Sequence, residues 1–241
     1  MERVIYMRYH KIQSVFLRDP ATKHKNFLLG EWSEPEFGFL APCEWSWQEK
    51  IDGTNIRVYW NGKDKTIRFM GRRDLPVADD GTPSNVPDFL LDQLKTMFSV
   101  ERLDKTFQGR NVVLYGEGYG AGVQKGGGNY MPDGCSFRLF DVFIGKFWIE
   151  QENVGNIAET LGLPYAPMIG TGPLTDAINL VKMGFVSQCA QSPQFIAEGL
   201  ICRPALNLLT RGGDRIITKI KCKDFVPYEH KTNSRQAKST V

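Results

Sequence analysis

The segment 44–71 constrains the fold more than any other part of this chain. Two β-rich apolar runs, 44–51 and 55–60, flank Asp52-Gly53, and Asn61-Gly62 then turns the chain into a third run, 66–71. Asp-Gly and Asn-Gly are turn dipeptides because both residues tolerate backbone conformations that other side chains avoid. Three runs joined in this way predict antiparallel pairing, so the rest of the chain must be built around an antiparallel sheet. Further apolar runs at 112–115, 137–144, 195–201 and 215–220 predict more strands. Residues 87–100 place Phe89, Leu90, Leu94, Met97 and Phe98 at helical spacing, and 153–161 and 175–183 also read as helices. Groups of strands with helices between them indicate an α+β class with more than one antiparallel sheet. A ligand cleft is expected where such sheets meet.

Composition removes several alternatives. With 241 residues, 41% hydrophobic and 24% charged, the chain buries a core without disulfides or metal staples and is not a disordered sequence. It contains no apolar run of about 18 residues, which argues against a membrane span. Its start, Met1-Glu2-Arg3-Val4, lacks the apolar core of a secretory signal. Five cysteines at 43, 135, 189, 202 and 222, none in a C-x-x-C pair, argue against a disulfide framework or structural zinc. The expected compartment is therefore a reducing cytoplasm. Thirty basic and 27 acidic residues give a net charge of +3, too little to argue for nucleic-acid binding from the average. The region 229–241, with Lys231, Arg235 and Lys238, reads as a solvated basic tail, or as a mobile arm near a phosphate backbone. The expected organisation is one catalytic domain over 1–228 followed by that tail.

Lys50 ends an apolar strand immediately before Ile51-Asp52-Gly53, so it is expected at the lip of a sheet. It is either a surface lysine before a hairpin or a nucleophilic amine; a lysine attacks only when unprotonated. Other segments favour the second reading. Glu117 follows a strand among glycines in Tyr115-Gly116-Glu117-Gly118-Tyr119-Gly120, and Asp141 sits inside the apolar run 137–144. Glu198 lies within the predicted strand 195–201, where the bland alternative is a solvated acid. Lys219, Lys221 and Lys223 alternate at period two and share one face of a strand. The glycine-rich run 120–128, with Gln124 and Lys125, reads equally as a flexible surface loop or as a loop that contacts the end of a substrate strand, with Lys125 on a phosphate. Residues 9–12 and 16–19 either wrap the sheet or touch a substrate.

The ordered set Glu49-Lys50-Ile51-Asp52-Gly53-Thr54-Asn55, Tyr115–Gly120, Phe137–Phe143, Glu198–Ile201 and Lys219-Ile220-Lys221 resembles the covalent nucleotidyltransferases. The nearest resemblance is to the ATP-dependent RNA ligases of the phage RNA ligase 2 type, over about 49–225. Five motifs in order are far more specific than a lone K-x-D-G. The resemblance implies that Lys50 attacks the α-phosphate of ATP, forms lysyl–AMP, passes AMP to a 5′-phosphate end and lets a 3′-hydroxyl displace it. It implies that Glu49 helps read adenine through its main chain, Asn55 bonds ribose or the end phosphate, and Arg73, with Arg72 as competitor, binds phosphate. It further implies that Glu117 bonds the ribose, Phe140 stacks on adenine, and Glu198 acts beside Mg2+ or Mn2+. Lys219 and Lys221 would hold the α-phosphate and disfavour protonation of Lys50. The expected partner is nucleic acid with 5′-phosphate and 3′-hydroxyl ends, RNA favoured, and no membrane. Family members carry a further C-terminal domain; only the residues after Phe225 remain here, so an OB or helical domain is not expected and a protein partner would replace it. DNA ligases, capping-type guanylyltransferases and a non-catalytic binder on the same scaffold are the alternatives.

Overall fold

The computed structural model describes residues 8–72 and 86–225, so Arg73 and the basic region from 229 lie outside the described residues. The described chain divides into two units, one of residues 8–10, 51–72, 86–166 and 189–195, the other of 11–50, 167–188 and 196–225.

In the first unit the hairpin expected at Asn61-Gly62 is part of a five-stranded antiparallel sheet, whereas the run before Asp52-Gly53 does not pair with the run after it and belongs to the sheet of the second unit. The strands of the first unit's sheet are β5 (Thr54–Asn61), β6 (Thr66–Gly71), β7 (Val112–Gly120), β8 (Cys135–Ile144) and β9 (Phe147–Trp148), ordered β6-β5-β7-β8-β9. The turn after β5 spans four residues rather than two: Asn61 Oδ1 accepts the amides of Lys63 and Asp64 at 3.0 and 3.1 Å. Strand β7 runs five residues past the predicted end because its glycines lie on the helix-covered face. A Cβ at Gly116 would meet the Phe137 ring at 2.1 Å. One face carries Ile56, Val58, Trp60, Leu114, Phe137, Leu139 and Val142 into a buried core. Helices α2 (Asp88–Met97), α3 (Val100–Phe107) and α5 (Gln151–Leu161) complete this core with Leu90, Leu94, Leu103, Phe107, Val154, Ala158 and Leu161. Each large apolar side chain so buried contributes about 1.5–3 kcal/mol. The helix predicted over 87–100 ends at Met97: Phe98 and Ser99 are extended, and the Ser99 hydroxyl, by accepting the Arg102 amide, caps a further helix, α3, that was not expected from the sequence.

The opposite face of this sheet is aromatic and polar. The ring of Tyr9 meets Phe140 edge-on at 5.2 Å and tilts against Tyr115 at 5.1 Å. Its hydroxyl donates to the fully buried Asp141 at 2.8 Å. Of the two roles open to residues 9–12 in the sequence, Tyr9 takes the wrapping one. Tyr9→Phe is expected to cost about 1 kcal/mol by removing one hydrogen bond to a buried carboxylate, measured by urea unfolding; no change in midpoint refutes the role.

The second unit holds a five-stranded sheet ordered β1-β12-β11-β4-β10. Its strands are β1 (Gln13–Ser14), β4 (Trp45–Lys50), β10 (Met168–Gly172), β11 (Gly199–Pro204) and β12 (Thr218–Lys221). All pairs are antiparallel except β1 with β12. A two-stranded ribbon, β2 (Phe16–Arg18) with β3 (Phe27–Trp32), and the short helix α1 (Pro35–Leu40) belong to the same unit. One sheet face buries Trp45, Trp47, Leu200, Cys202 and Ile220. Against them pack Leu174, Ala177, Ile178 and Val181, the apolar stripe at i, i+3, i+4 and i+7 of helix α6 (Leu174–Met183). The strand predicted over 195–201 begins later, at Gly199. The five cysteines form no disulfide. No helix among the described residues is long and apolar enough to cross a membrane.

Candidate functional site

Strand β4 ends at Lys50, and the antiparallel register sets Lys50 opposite Gly199 and Gly199 opposite Lys221. The three residues therefore form one rung across three strands. Because Gly199 has no side chain, nothing stands between the two lysines on that face. Nor can this position carry one: its φ is +151°, and a Cβ would lie 1.9 Å from the Ile220 carbonyl oxygen. The lysines converge on the preceding residue. Lys50 Nζ lies 2.5 Å from Glu198 Oε2, and Lys221 Nζ lies 2.5 Å from Oε1.

Glu198 is thus not the solvated acid that the bland reading allowed. Its side chain is 11% exposed and both oxygens are engaged. Burial by itself would raise its pKa. The Lys50 charge, with hydrogen bonds from both lysines, outweighs burial and holds the carboxyl below its ordinary value. The Lys50 amine is thereby held on this carboxylate.

Lys219 stands one period away on the same face, opposite Ile201, while Thr218 and Ile220 are buried on the other face. Lys223 lies beyond the strand, in the short helical turn Cys222–Asp224. Of the alternating lysines, Lys221 is the one in the rung of Lys50.

Glu49 points the opposite way from its neighbour. It faces the buried side beside Leu200, where it is 2% exposed. Its carboxylate accepts the Ser187 hydroxyl at 2.5 Å and the Gln188 amide at 2.8 Å, and its own amide donates to the Pro167 carbonyl at 2.8 Å. Glu49 so ties the end of β4, and with it Lys50, to the segment after α6. Ser187 and Gln188 carry no local sequence signal and were missed; only the fold brings them to Glu49.

The remaining candidates lie in the first unit. Asn55, Glu117 and Arg138 face one another in a single rung of β5, β7 and β8. The Asn55 Oδ1 is buried and lacks a hydrogen-bond partner, an acceptor suited to a hydroxyl of a ligand. Arg138 was not singled out in the sequence; it donates to the Tyr165 carbonyl at 3.1 Å and lies over the Tyr119 ring. One residue farther along β8 the register slips: Tyr115 pairs with Asp141 and Gly116 with Leu139, so Phe140 is the extra residue of a bulge. The bulge puts Phe140 and Asp141 both on the face away from the helix-covered core. Arg57, left without a role by the sequence, is 1% exposed and donates to the Gly71 carbonyl at 2.8 Å.

The turn after Lys50 is held by the glycine-rich run. Gln124 donates to the Gly53 carbonyl at 3.0 Å, and the Asp52 amide donates to the hydroxyl of the buried Tyr130 at 3.2 Å. Gly53 must be glycine, because a Cβ there would lie 2.2 Å from the Gly118 carbonyl oxygen. The run 120–128 therefore braces the turn after Lys50 through Gln124. Lys125 is exposed.

Among the described residues no group of three or more His, Cys, Asp or Glu side chains is placed to hold a metal. What exists is the single carboxylate of Glu198. That donor set fits a magnesium or manganese ion carried in on substrate phosphates, which needs one or two protein carboxylates rather than a closed cage.

A family model described as RNA ligase matches residues 43–221. No curated protein matches the sequence. Among solved structures, Naegleria gruberi RNA ligase with ATP and manganese is 18% identical, with a TM-score of 0.56, over 78% of this chain and 52% of that one. The same ligase with pyrophosphate is 17% identical, TM-score 0.57, over 85% and 55%. An archaeal ATP-dependent RNA ligase is 14% identical, TM-score 0.57, over 90% and 48%. At these identities the likeness is one of fold, and the chain spans about half the length of these relatives.

Proposed function

The chain belongs to the RNA ligase family, and from that premise we propose that it is an ATP-dependent RNA ligase working through lysyl–AMP. The observation that carries the proposal is the rung of Lys50, Gly199 and Lys221 with Glu198 bridging the two amines. A binding module has no use for a buried carboxylate poised between two lysines, one of them at a strand end.

In this reading, Glu198 turns from Lys50 as ATP binds, and would hold a divalent metal whose charge would offset that of the phosphates. Lys50 Nζ passes a proton to solvent and attacks the α-phosphorus; a P–N bond forms, the bridging P–O bond to the β-phosphate breaks, and pyrophosphate leaves with the bonding electron pair. Lys221 and Lys219 neutralise the α-phosphate as charge builds, which is where most of the catalysis of phosphoryl transfer arises. Glu117 and the acceptor of Asn55 take ribose hydroxyls, and Phe140 offers an aromatic face to adenine. AMP then passes to a 5′-phosphate end, and a 3′-hydroxyl displaces it. Asn55, five residues after Lys50, supports the RNA ligase 2 type within the family.

Incubation with α-labelled ATP or GTP and magnesium, followed by a denaturing gel, tests the chemistry. A covalent band from ATP alone is expected. A band from GTP alone would transfer the chain to capping chemistry, and no band would end the ligase reading. For the substrate, a 5′-phosphate strand should be sealed to a 3′-hydroxyl RNA end roughly tenfold faster than to a DNA end in matched nicked duplexes, a factor worth about 1.4 kcal/mol at the 2′-hydroxyl. Equal or faster sealing of the DNA end refutes the RNA assignment and leaves the lysine chemistry standing.

A further inference from the structure

The second unit contains a cavity of about 620 Å³ that extends from the lysine row to residues with no part in the adenylylation chemistry. One wall is the lysine row itself: Lys219, Lys221 and Lys223. The other wall comes from the N-terminal segment, with Lys11, Arg18 and Lys25. Asp224 is the one acidic residue of the lining, and it is committed: its Oδ2 lies 2.7 Å from Arg18, which it orients. The cavity is therefore strongly cationic. Lys221 belongs both to this wall and to the Lys50–Glu198 cluster, so the cavity adjoins the reacting centre along one strand.

Its size and lining discriminate between anions. An inorganic phosphate or pyrophosphate fills a small part of such a volume. The lining also includes Leu17, which is 44% exposed, and the hydroxyl-bearing Ser14 and Ser33. An exposed leucine gives nothing to an inorganic anion, whereas a base or ribose packs on it. Lysines at period two along a strand recur every 6.6 Å or so, a spacing that suits successive phosphates of an extended polynucleotide.

We propose that this cavity holds the sugar–phosphate backbone of single-stranded RNA leading to the joined end, with Lys11 and Lys25 as phosphate-positioning residues. The proposal rests on the RNA ligase reading, but binding is measured without ATP, so the two fail separately. The test is fluorescence anisotropy of the full chain with a labelled, 5′-phosphorylated single-stranded 12-nucleotide RNA, from 50 to 200 mM salt. Each lysine–phosphate contact contributes a slope of about 0.7 in log affinity against log salt for single strands. Lys11→Ala/Lys25→Ala should lower that slope by about 1.4 and weaken binding about tenfold near 100 mM salt. Lys63→Ala/Lys105→Ala, which removes the same charge from exposed sites in the other unit, should move neither. Lys11→Glu/Lys25→Glu should enlarge the effect.

An unchanged slope in the alanine variant overturns the proposal, as does an equal fall in the Lys63/Lys105 control. Loss of AMP uptake from ATP with a wild-type RNA slope also overturns it, and assigns the cavity to the phosphate tail of ATP. A wild-type chain that never accepts AMP refutes the lysyl–AMP reading and leaves the salt-slope result to stand by itself.

Discussion

Lys50→Ala is expected to accept no AMP, a loss of at least 10³-fold in covalent labelling, while remaining folded. The amine is the only group of this residue that the chemistry needs. Its side chain is about one-fifth exposed, so truncation opens no core cavity. The variant does remove one of the two cations that hold Glu198, but Lys221 stays within hydrogen-bond reach of the other oxygen. Stability should therefore fall by no more than about 1–2 kcal/mol. In the wild type the label should resist base and yield to acid, as a P–N bond does. A folded Lys50→Ala protein that labels normally would refute the assignment of the nucleophile.

Glu198→Gln carries the second large effect, and it has two parts. AMP uptake should fall by roughly 100-fold or more, because the charge that draws in the metal and positions both amines is gone. Stability should fall as well, since two ammonium groups remain converging on a neutral amide; about 2 kcal/mol near pH 7 is expected. The pH dependence follows from the depressed pKa of this carboxyl. Its stabilising contribution is full above the unfolded carboxyl value of about 4.3. It is lost as pH falls through the lower folded value. The difference between wild type and Glu198→Gln should accordingly shrink on acidification and vanish once Glu198 is protonated. Urea titrations at several pH values measure this. A constant difference across the range, or none at pH 7, would return Glu198 to a solvated role and remove it from the centre.

Much of the catalytic side was legible because its signals are local. Asn61-Gly62 marked the hairpin of β5 and β6, since few residues tolerate such turns, and Lys50 was placed by its position before Asp52-Gly53; that the runs flanking Asp52-Gly53 belong to different sheets and do not pair was not legible, because a turn dipeptide does not say which strands hydrogen-bond. The alternation of Lys219, Ile220 and Lys221 gave a two-sided strand whose burial alternates in the structure. Other features were not legible. Helix α3 was missed although Ser99 caps it, because it is only eight residues long and buries just Leu103 and Phe107. The full length of β7 was hidden because glycine is a poor strand former, and only the Phe137 ring packed over Gly116 explains its use there. The bulge at Phe140 shows no pattern at all before register is known.

The sequence by itself determined the antiparallel class, the strand-end lysine, the lysine row and the ordered motifs that point to nucleotidyl transfer, because each is written in neighbouring residues. Which lysine stands beside Lys50 was decided by the register of β11 against β12, which puts Lys221, not Lys219 or Lys223, across Gly199. Tertiary structure also turned Glu198 from a presumed strand acid into a buried bridge between two amines, and sent Glu49 to the far side of the sheet to meet Ser187 and Gln188. The cavity walled by Lys11 and Lys25 likewise exists only once β1 pairs with β12. These are contacts across more than a hundred residues of chain, and hydrogen bonding between strands, rather than any local preference, brings such residues together.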